Sequence, residues 1–242
     1  MADDIFDGRV AVVTGSTRGI GRAVAEALLR RGTHVVVSSR DTRRVAETAE
    51  ALAEVGPGRV LAHPCDVRQP EACHALIRAA VDEFGVLDVL VNNAGLGRFA
   101  AIQEMEAESW NQQIRTNLDG VFHCSKAAIP HLQAQDGGWI FNIGSLAGRN
   151  AFSGGVAYNA SKWGLLGMTE AMMLDLRHEG IRVTCIMPGS VNTHFFEDGP
   201  DPFDDWKLQS ADIARVITDL MAFPDRALPS KVEIRPSRPP RK

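Results

Sequence analysis

The sequence predicts a single doubly wound α/β domain, and three observations carry that reading. Short apolar, β-branched runs alternate with longer amphipathic stretches along most of the chain, the rhythm of parallel βαβ units. A glycine-rich turn follows the first of those runs directly. No Pro/Ser-rich linker divides the 242 residues, a length that suits one large domain with a sizeable core.

The elements follow in order. Arg9–Thr14 is continuous and β-branched, as a strand covered on both faces should be. After the glycine turn, Ile20 to Arg31 reads as a helix closed by Gly32. Val35–Val37 is the next strand, and 41–54 a helix that Gly56-Pro57-Gly58 breaks. Then come a strand at Val60–His63, a helix at 70–84 and a strand at Val86–Val91. One or two helices occupy 104–134, followed by a strand at Trp139–Ile143. A long helix at 156–179, a strand at Ile181–Ile186, a helix at 210–222 and a strand at 231–235 complete about seven strands. The tail 236–242 is basic and proline-rich; it reads as a solvated end, with packing on a neighbouring subunit as the alternative.

Composition narrows the function. Twenty-six basic against 30 acidic side chains leave a net charge of −4, and there is one tyrosine. A phosphate backbone wants a basic field, so nucleic acid is not the expected partner, although a small basic pocket for a phosphorylated ligand is compatible with the balance. Cys65, Cys73, Cys124 and Cys185 form no close CxxC pair and read as lone buried thiols. The seven histidines show no ligand spacing, so no metal is expected. The acidic N-terminus lacks a targeting pattern, and no apolar run approaches the ~18 residues of a membrane span. A cytoplasmic protein without a membrane partner is the expectation.

The turn Thr14-Gly15-Ser16-Thr17-Arg18-Gly19-Ile20-Gly21 has the spacing G-x-x-x-G-x-G. Glycines there permit positive φ and close backbone approach, and the helix N-terminus presents unpaired N–H groups to an anion. The second strand ends in Ser38-Ser39-Arg40, with no carboxylate at the end itself and Asp41 immediately after. An acid at that place holds the ribose 2′-OH of NAD, whereas arginine suits the 2′-phosphate of NADP. Arg40 with Arg18 therefore favours NADP(H), with NAD(H) as the alternative; the plainer reading of Arg40 pairs it with Asp41 on the surface.

Tyr158 and Lys162 are four residues apart on a predicted helix and project from one face. An ammonium near a phenol stabilises phenolate, which makes tyrosine a usable proton donor or acceptor near neutrality. Ser145 lies 13 residues before Tyr158.

With these residues the sequence resembles the short-chain dehydrogenase/reductase family over roughly residues 8–235. The motifs are TGxxxGIG at Thr14–Gly21, Asn92-Asn93-Ala94-Gly95, Asn117, Ser145, YxxxK at Tyr158–Lys162, and Pro188-Gly189 with Thr193. The resemblance implies a Rossmann-type sheet and a role for each residue. Tyr158 would be general acid in reduction and base in oxidation. Lys162 would hold the nicotinamide ribose and depress the Tyr158 pKa, Ser145 would bond the substrate oxygen, and Asn117 would serve the proton relay. Gly15, Ser16, Thr17, Arg18, Gly19, Ile20 and Gly21 would cradle the cofactor phosphates, with Ser39 and Arg40 beyond them. Asp66 and Val67 would flank adenine, and Asn93, Ala94 and Gly95 the adenosine. Pro188, Gly189, Val191 and Thr193 would meet the nicotinamide.

The loop at about 190–210 corresponds to the family's substrate loop. In it, Phe195, Phe196, Phe203 and Trp206 could cap an apolar substrate, and Gly199-Pro200 could let it move as a lid; packing against the body or a neighbouring subunit is the equal reading of the aromatics. Glu197, Asp198, Asp201, Asp204 and Asp205 make a strongly anionic substrate less natural. The ending Lys231–Pro240 departs from the family's glycine-rich passage. By resemblance, the helices at 104–134 and 156–179 would build a dimer or tetramer. The expected activity is NADP(H)-dependent interconversion of a ketone and a secondary alcohol, with a 3-oxoacyl thioester reductase as one subtype. A hydroxy-acid or sugar-alcohol dehydrogenase using NAD, or a non-catalytic NADP(H)-binding sensor or scaffold, is the alternative.

Overall fold

The computed structural model describes residues 5–193, 195 and 204–240. Strand β1 (Val10–Thr14) is buried along its whole length, and its side chains alternate between two cores. Ala11 and Val13 face one, and Val10 and Val12 face the other. The same alternation runs through β2 (His34–Ser38), β4 (Val89–Asn92), β5 (Gly138–Ile143) and β6 (Ile181–Pro188). A sheet apolar on both faces has to be covered on both, and the helices do that.

With β3 (Val60–Ala62) and β9 (Lys231–Ile234), these strands form one parallel seven-stranded sheet in the order β3-β2-β1-β4-β5-β6-β9. Two short strands, β7 (Val191–Asn192) and β8 (Leu208–Gln209), pair separately and bracket the segment 193–207. Helices α1 (Gly19–Leu29), α2 (Thr42–Leu52) and α7 (Ser210–Met221) send Leu28, Leu52 and Ile217 into the first core. Helices α3 (Pro70–Phe84) and α5 (Gly120–Gln133) send Leu76 and Leu132 into the second, and α6 (Val156–Leu176) contributes Leu176 there. The strands are added outward in one direction from β1 and in the opposite direction from β4, so the loops leaving the carboxyl ends of these two parallel strands splay apart and leave a crevice.

The predicted elements fall where the sequence puts them, with adjusted ends. Helix α1 ends at Leu29, and Gly32, at φ +89°, turns the chain into β2. The segment 104–134 is one helical passage interrupted in the middle. Helix α4 (Ala107–Ile114) runs into a π-helical turn, Arg115–Asp119, before α5 begins. Helix α6 ends at Leu176 and a 3-10 turn completes it to Glu179. Despite the unusual ending, β9 joins the sheet edge beside β6, and the Gly189 N–H donates to the Ile234 carbonyl at 2.8 Å. The tail beyond it, 237–240, is exposed. Among the described residues, no helix is long and apolar enough to cross a membrane.

Candidate active site

The glycine turn sits at the carboxyl end of β1 and is shaped by its neighbours. A Cβ on Gly15 would lie 2.9 Å from the Ala94 Cα, and one on Gly21 would lie 2.4 Å from Asn93 Nδ2. Gly15 and Gly19 also take φ of +65° and +56°, which side chains resist. The turn is stapled from below. Asn93 Nδ2 donates to the Thr14 and Gly15 carbonyls at 2.8 and 3.0 Å, while Thr14 Oγ1 accepts from the Asn93 and Ala94 N–H groups at 3.0 Å. The Asn93 amide nitrogen is thus spent on the turn itself. Ser16 is fully buried and ties the turn to β2, its Oγ donating to the Val13 carbonyl and accepting from the Ser38 N–H. The Ser16 and Asn93 N–H groups are taken as well, by the Ser38 carbonyl and by Thr14 Oγ1.

Beside the turn, Arg18 and Arg40 are exposed, and among the described residues neither is held in an ion pair. Asp41 does not pair with Arg40. It caps α2 by accepting from the Arg44 N–H at 3.0 Å, with the Arg44 guanidinium at 3.4 Å. Ser39 Oγ is buried without a hydrogen-bond partner next to Arg40. A glycine cradle at a helix N-terminus, two open guanidinium groups and an orphaned hydroxyl fit a phosphate-bearing nucleotide.

Asp66 faces the same crevice and is claimed by a residue the sequence reading passed over. Arg68 donates to it through Nε at 2.9 Å and Nη2 at 2.5 Å, and the Arg68 N–H adds a third bond at 3.1 Å. Those bonds to Arg68 hold the Asp66 carboxyl below the usual carboxylate range, with a smaller contribution from Arg40. The Val67 side chain is buried against Gly120, which leaves only its backbone for a ligand. Ile20 packs on the first core, Pro188 and Gly189 close β6, Val191 lies in β7, and the Thr193 methyl covers Gly19.

The proton-handling groups gather at the carboxyl ends of β4, β5 and β6. Tyr158 and Lys162 lie one turn apart on α6, and Ser145 follows β5. Burial pushes the Tyr158 phenol up, and the nearby Ser145 hydroxyl opposes that rise. Ser145 Oγ also accepts from the Ala147 N–H at 3.1 Å, which fixes it at the start of a 3-10 turn. Lys162 is buried, its Nζ donating to the Ile143 carbonyl at 2.8 Å, and burial pulls its pKa down to about 8. The expected lowering of Tyr158 by Lys162 is corrected on this point: Nζ lies 5.8 Å from the phenol ring centroid, and burial dominates both groups.

Asn117 lies in the π-helical turn, fully buried. Its amide accepts from the Leu96 N–H at 2.9 Å and donates to the Leu96 carbonyl at 2.8 Å and to Ser161 Oγ at 3.0 Å. Four residues earlier, Gln113 does the same for Arg98, with both bonds at 3.1 Å. Two side-chain amides thus act as a false strand for the loop after β4, and they set its path past Tyr158.

That loop delivers Phe99, which the sequence reading did not single out. The Phe99 ring lies 5.6 Å from Tyr158 and 5.5 Å from Phe152, while Phe195 lies 5.7 Å from Tyr158 on a separate loop. Phe195 therefore lies beside Tyr158. Trp206 does not join it: its indole N–H donates to Asp204 at 3.1 Å and its ring meets Lys207. Phe196, Phe203 and the Gly199-Pro200 hinge lie outside the described residues. Also missed was a buried amide chain beneath the site, in which Asn92 donates to Asn142 and Ser125, and Asn142 donates to Thr169. Asn92 and Asn142 are register partners, so a pattern of one asparagine at each strand end was the available signal.

A sheet of this strand order with a glycine cradle at its point of reversal defines a Rossmann-type nucleotide-binding protein. The short chain dehydrogenase family model matches residues 9–201, and the chain belongs to that family. A 3-oxoacyl-(acyl-carrier-protein) reductase of Vibrio cholerae is 36% identical over 188 residues, 78% of this chain and 75% of that protein. A trans-4-hydroxycyclohexanecarboxylate dehydrogenase of Sinomonas cyclohexanicum is 39% identical over 191 residues, 76% of this chain and 73% of that one. Among solved structures, an alcohol dehydrogenase of the archaeon Thermococcus sibiricus complexed with 5-hydroxy-NADP superposes with a TM-score of 0.89 at 28% identity, over 97% of this chain and 99% of that one. A metagenomic short-chain oxidoreductase in complex with NADP superposes with a TM-score of 0.85 at 34% identity, over 97% and 100% of the two chains.

Proposed function

We propose that the protein is an NADP(H)-dependent oxidoreductase that interconverts a ketone and a secondary alcohol. The observation that carries the reading is the placing of Tyr158 and the buried Lys162 one turn apart on α6, with the Ser145 hydroxyl near enough to the phenol to favour its ionised form, at the carboxyl edge of a sheet whose neighbouring loop is the glycine cradle. The two NADP-bound structural neighbours support the choice of cofactor. Gly15, Gly19 and Gly21 would receive the pyrophosphate, Arg18, Ser39 and Arg40 the 2′-phosphate, and Lys162 the nicotinamide ribose, with Asp66 at the adenine. When bound, the nicotinamide supplies or takes up the hydride.

In reduction, negative charge grows on the carbonyl oxygen, and two hydroxyl groups must meet it. Ser145 donates one hydrogen bond and Tyr158 passes the proton. Lys162, still mainly protonated at neutral pH with a pKa of about 8, would keep its charge for the nicotinamide ribose. Asn117 contributes by holding the Leu96 loop and, through Ser161, the Tyr158 turn of α6. A 3-oxoacyl thioester reductase is one form this activity could take, and the V. cholerae relative supports it.

The protein would work as a homo-oligomer. Phe122 on α5 and Trp163 on α6 are about half exposed, at 48% and 52%, on the helices expected to pack between subunits. The test of the activity is NADPH-dependent ketone reduction by the parent and by Tyr158→Phe. The expected loss in kcat is at least ~100-fold. A variant retaining half the parent activity would show that Tyr158 is not the acid, and a parent that binds no NADPH would point to a scaffold.

A further inference from the structure

Phe99, Phe152 and Phe195 come from three different loops, those after β4, β5 and β7, yet they converge with Tyr158 into one aromatic group. Phe99 and Phe152 remain 40% and 46% exposed. Two neighbouring phenyl rings facing water at a catalytic hydroxyl mark a surface that something apolar covers.

The rings are held in place rather than merely collapsed. Gln113 grips both backbone groups of Arg98, the residue before Phe99. Asn159 donates to the Ala147 and Asn150 carbonyls at 2.7 and 3.3 Å, which shapes the loop that carries Phe152. Gly97 lies between the other two rings: a Cβ there would come within 2.7 Å of the Phe195 ring and 2.9 Å of the Phe99 ring. A side chain at position 97 would force them apart.

Geometry selects the shape of the ligand. The ring centroids lie 5.5–5.7 Å apart; Phe99 and Phe195 each meet Tyr158 edge to face, and Phe99 and Phe152 are tilted at 59°. That arrangement offers ring edges and faces to a further planar ring, which gains a directional attraction that a saturated chain does not. Of the charged side chains beside the group, Arg149 is engaged with Glu233 at 2.6 Å and Arg98 is exposed. No carboxylate belongs to residues 93–100 or 145–155.

Resting on the ketone–alcohol reading above, we propose that the substrate is an aryl ketone or the matching benzylic alcohol, its ring seated against Phe99 and Phe152 and its oxygen on Ser145 and Tyr158.

The test compares acetophenone with cyclohexyl methyl ketone, a pair of similar size in which only one ring is aromatic, using NADPH and the parent, Phe99→Leu and Phe152→Leu. Taking the ratio of the two kcat/KM values in each protein cancels the different intrinsic reactivity of the ketones. We expect that ratio to fall about fivefold in each variant, the loss of one edge-to-face contact. Both ketones reduced, with a ratio unmoved within twofold in both variants, would overturn the aryl assignment and leave the reductase reading standing. Reduction of a 3-oxobutanoyl thioester but of neither ketone would do the same. No reduction of any carbonyl compound by a parent that binds NADPH would overturn both.

Discussion

Replacing Lys162 with methionine tests whether the site stores a cost that the fold bears. The ammonium is buried, and its pKa falls from the ordinary 10.5 to about 8. A tenfold change in proton affinity is about 1.4 kcal/mol, so keeping the proton in the folded chain costs about 3 kcal/mol. Methionine is uncharged and of similar length, and it removes that cost. It also strands the Ile143 carbonyl, which accepts from Nζ at 2.8 Å, and a buried orphan of this kind costs about 2 kcal/mol. At pH 7 the variant should therefore be about 1 kcal/mol more stable than the parent.

The comparison reverses in alkali. Between pH 8 and 10.5 the unfolded parent still holds the lysine proton while the folded parent has released it, so parent stability rises with pH relative to the variant. Above pH 10.5 the desolvation cost has vanished and only the lost hydrogen bond remains, which leaves Lys162→Met about 2 kcal/mol the less stable. Urea unfolding of both proteins at half-unit steps from pH 7 to 11 reads the difference, because titrating groups other than Cys185, which the Lys162 charge influences, cancel. A swing of about 3 kcal/mol is expected, together with loss of ketone reduction at all pH values. A difference that stays flat across that range would refute the account of Lys162 as a cation held against its burial.

Three further outcomes follow from single contacts. Arg40→Ala should weaken NADPH binding by about thirtyfold, some 2 kcal/mol for a lost charged hydrogen bond, and change NADH binding by no more than about threefold in a fluorescence titration; equal weakening of both would remove Arg40 from the 2′-phosphate. Gln113→Leu strands the N–H and carbonyl of Arg98 and should cost about 2–3 kcal/mol, with faster hydrogen exchange at Arg98 than in β1; unchanged exchange would mean that the loop holds its own shape. Trp163→Glu places a charge on the exposed face of α6 and should shift the mass found by light scattering to a smaller assembly. An unchanged mass would take that face out of the interface.

Much of the architecture was legible because its causes are local. Buried parallel strands must be β-branched runs, and the helices between them must carry one apolar face, so element order could be read off directly. The glycine turn could be recognised because positive φ and close approach leave no other residue type at Gly15. Helical spacing put Tyr158 and Lys162 on one face, and the accompanying motifs gave that pair its meaning. The π-helical turn at Arg115–Asp119 could not, since nothing in the residues distinguishes it from a continuous helix. Its effect is to aim Asn117 at Leu96, a contact across 21 residues of chain.

The sequence by itself determined the doubly wound sheet and the glycine cradle and pointed to Tyr158 and Lys162 as a helical pair, since each depends on backbone preference or on neighbours within one or two turns. Only the tertiary structure decided how those residues are tuned. Arg68 commits the Asp66 carboxylate, burial outweighs charge at Tyr158 and Lys162, and Gln113 sets the loop that brings Phe99 to the phenol. Desolvation and ring contacts depend on what segments distant in sequence place within a few ångströms, and residue spacing along one chain carries no measure of that distance.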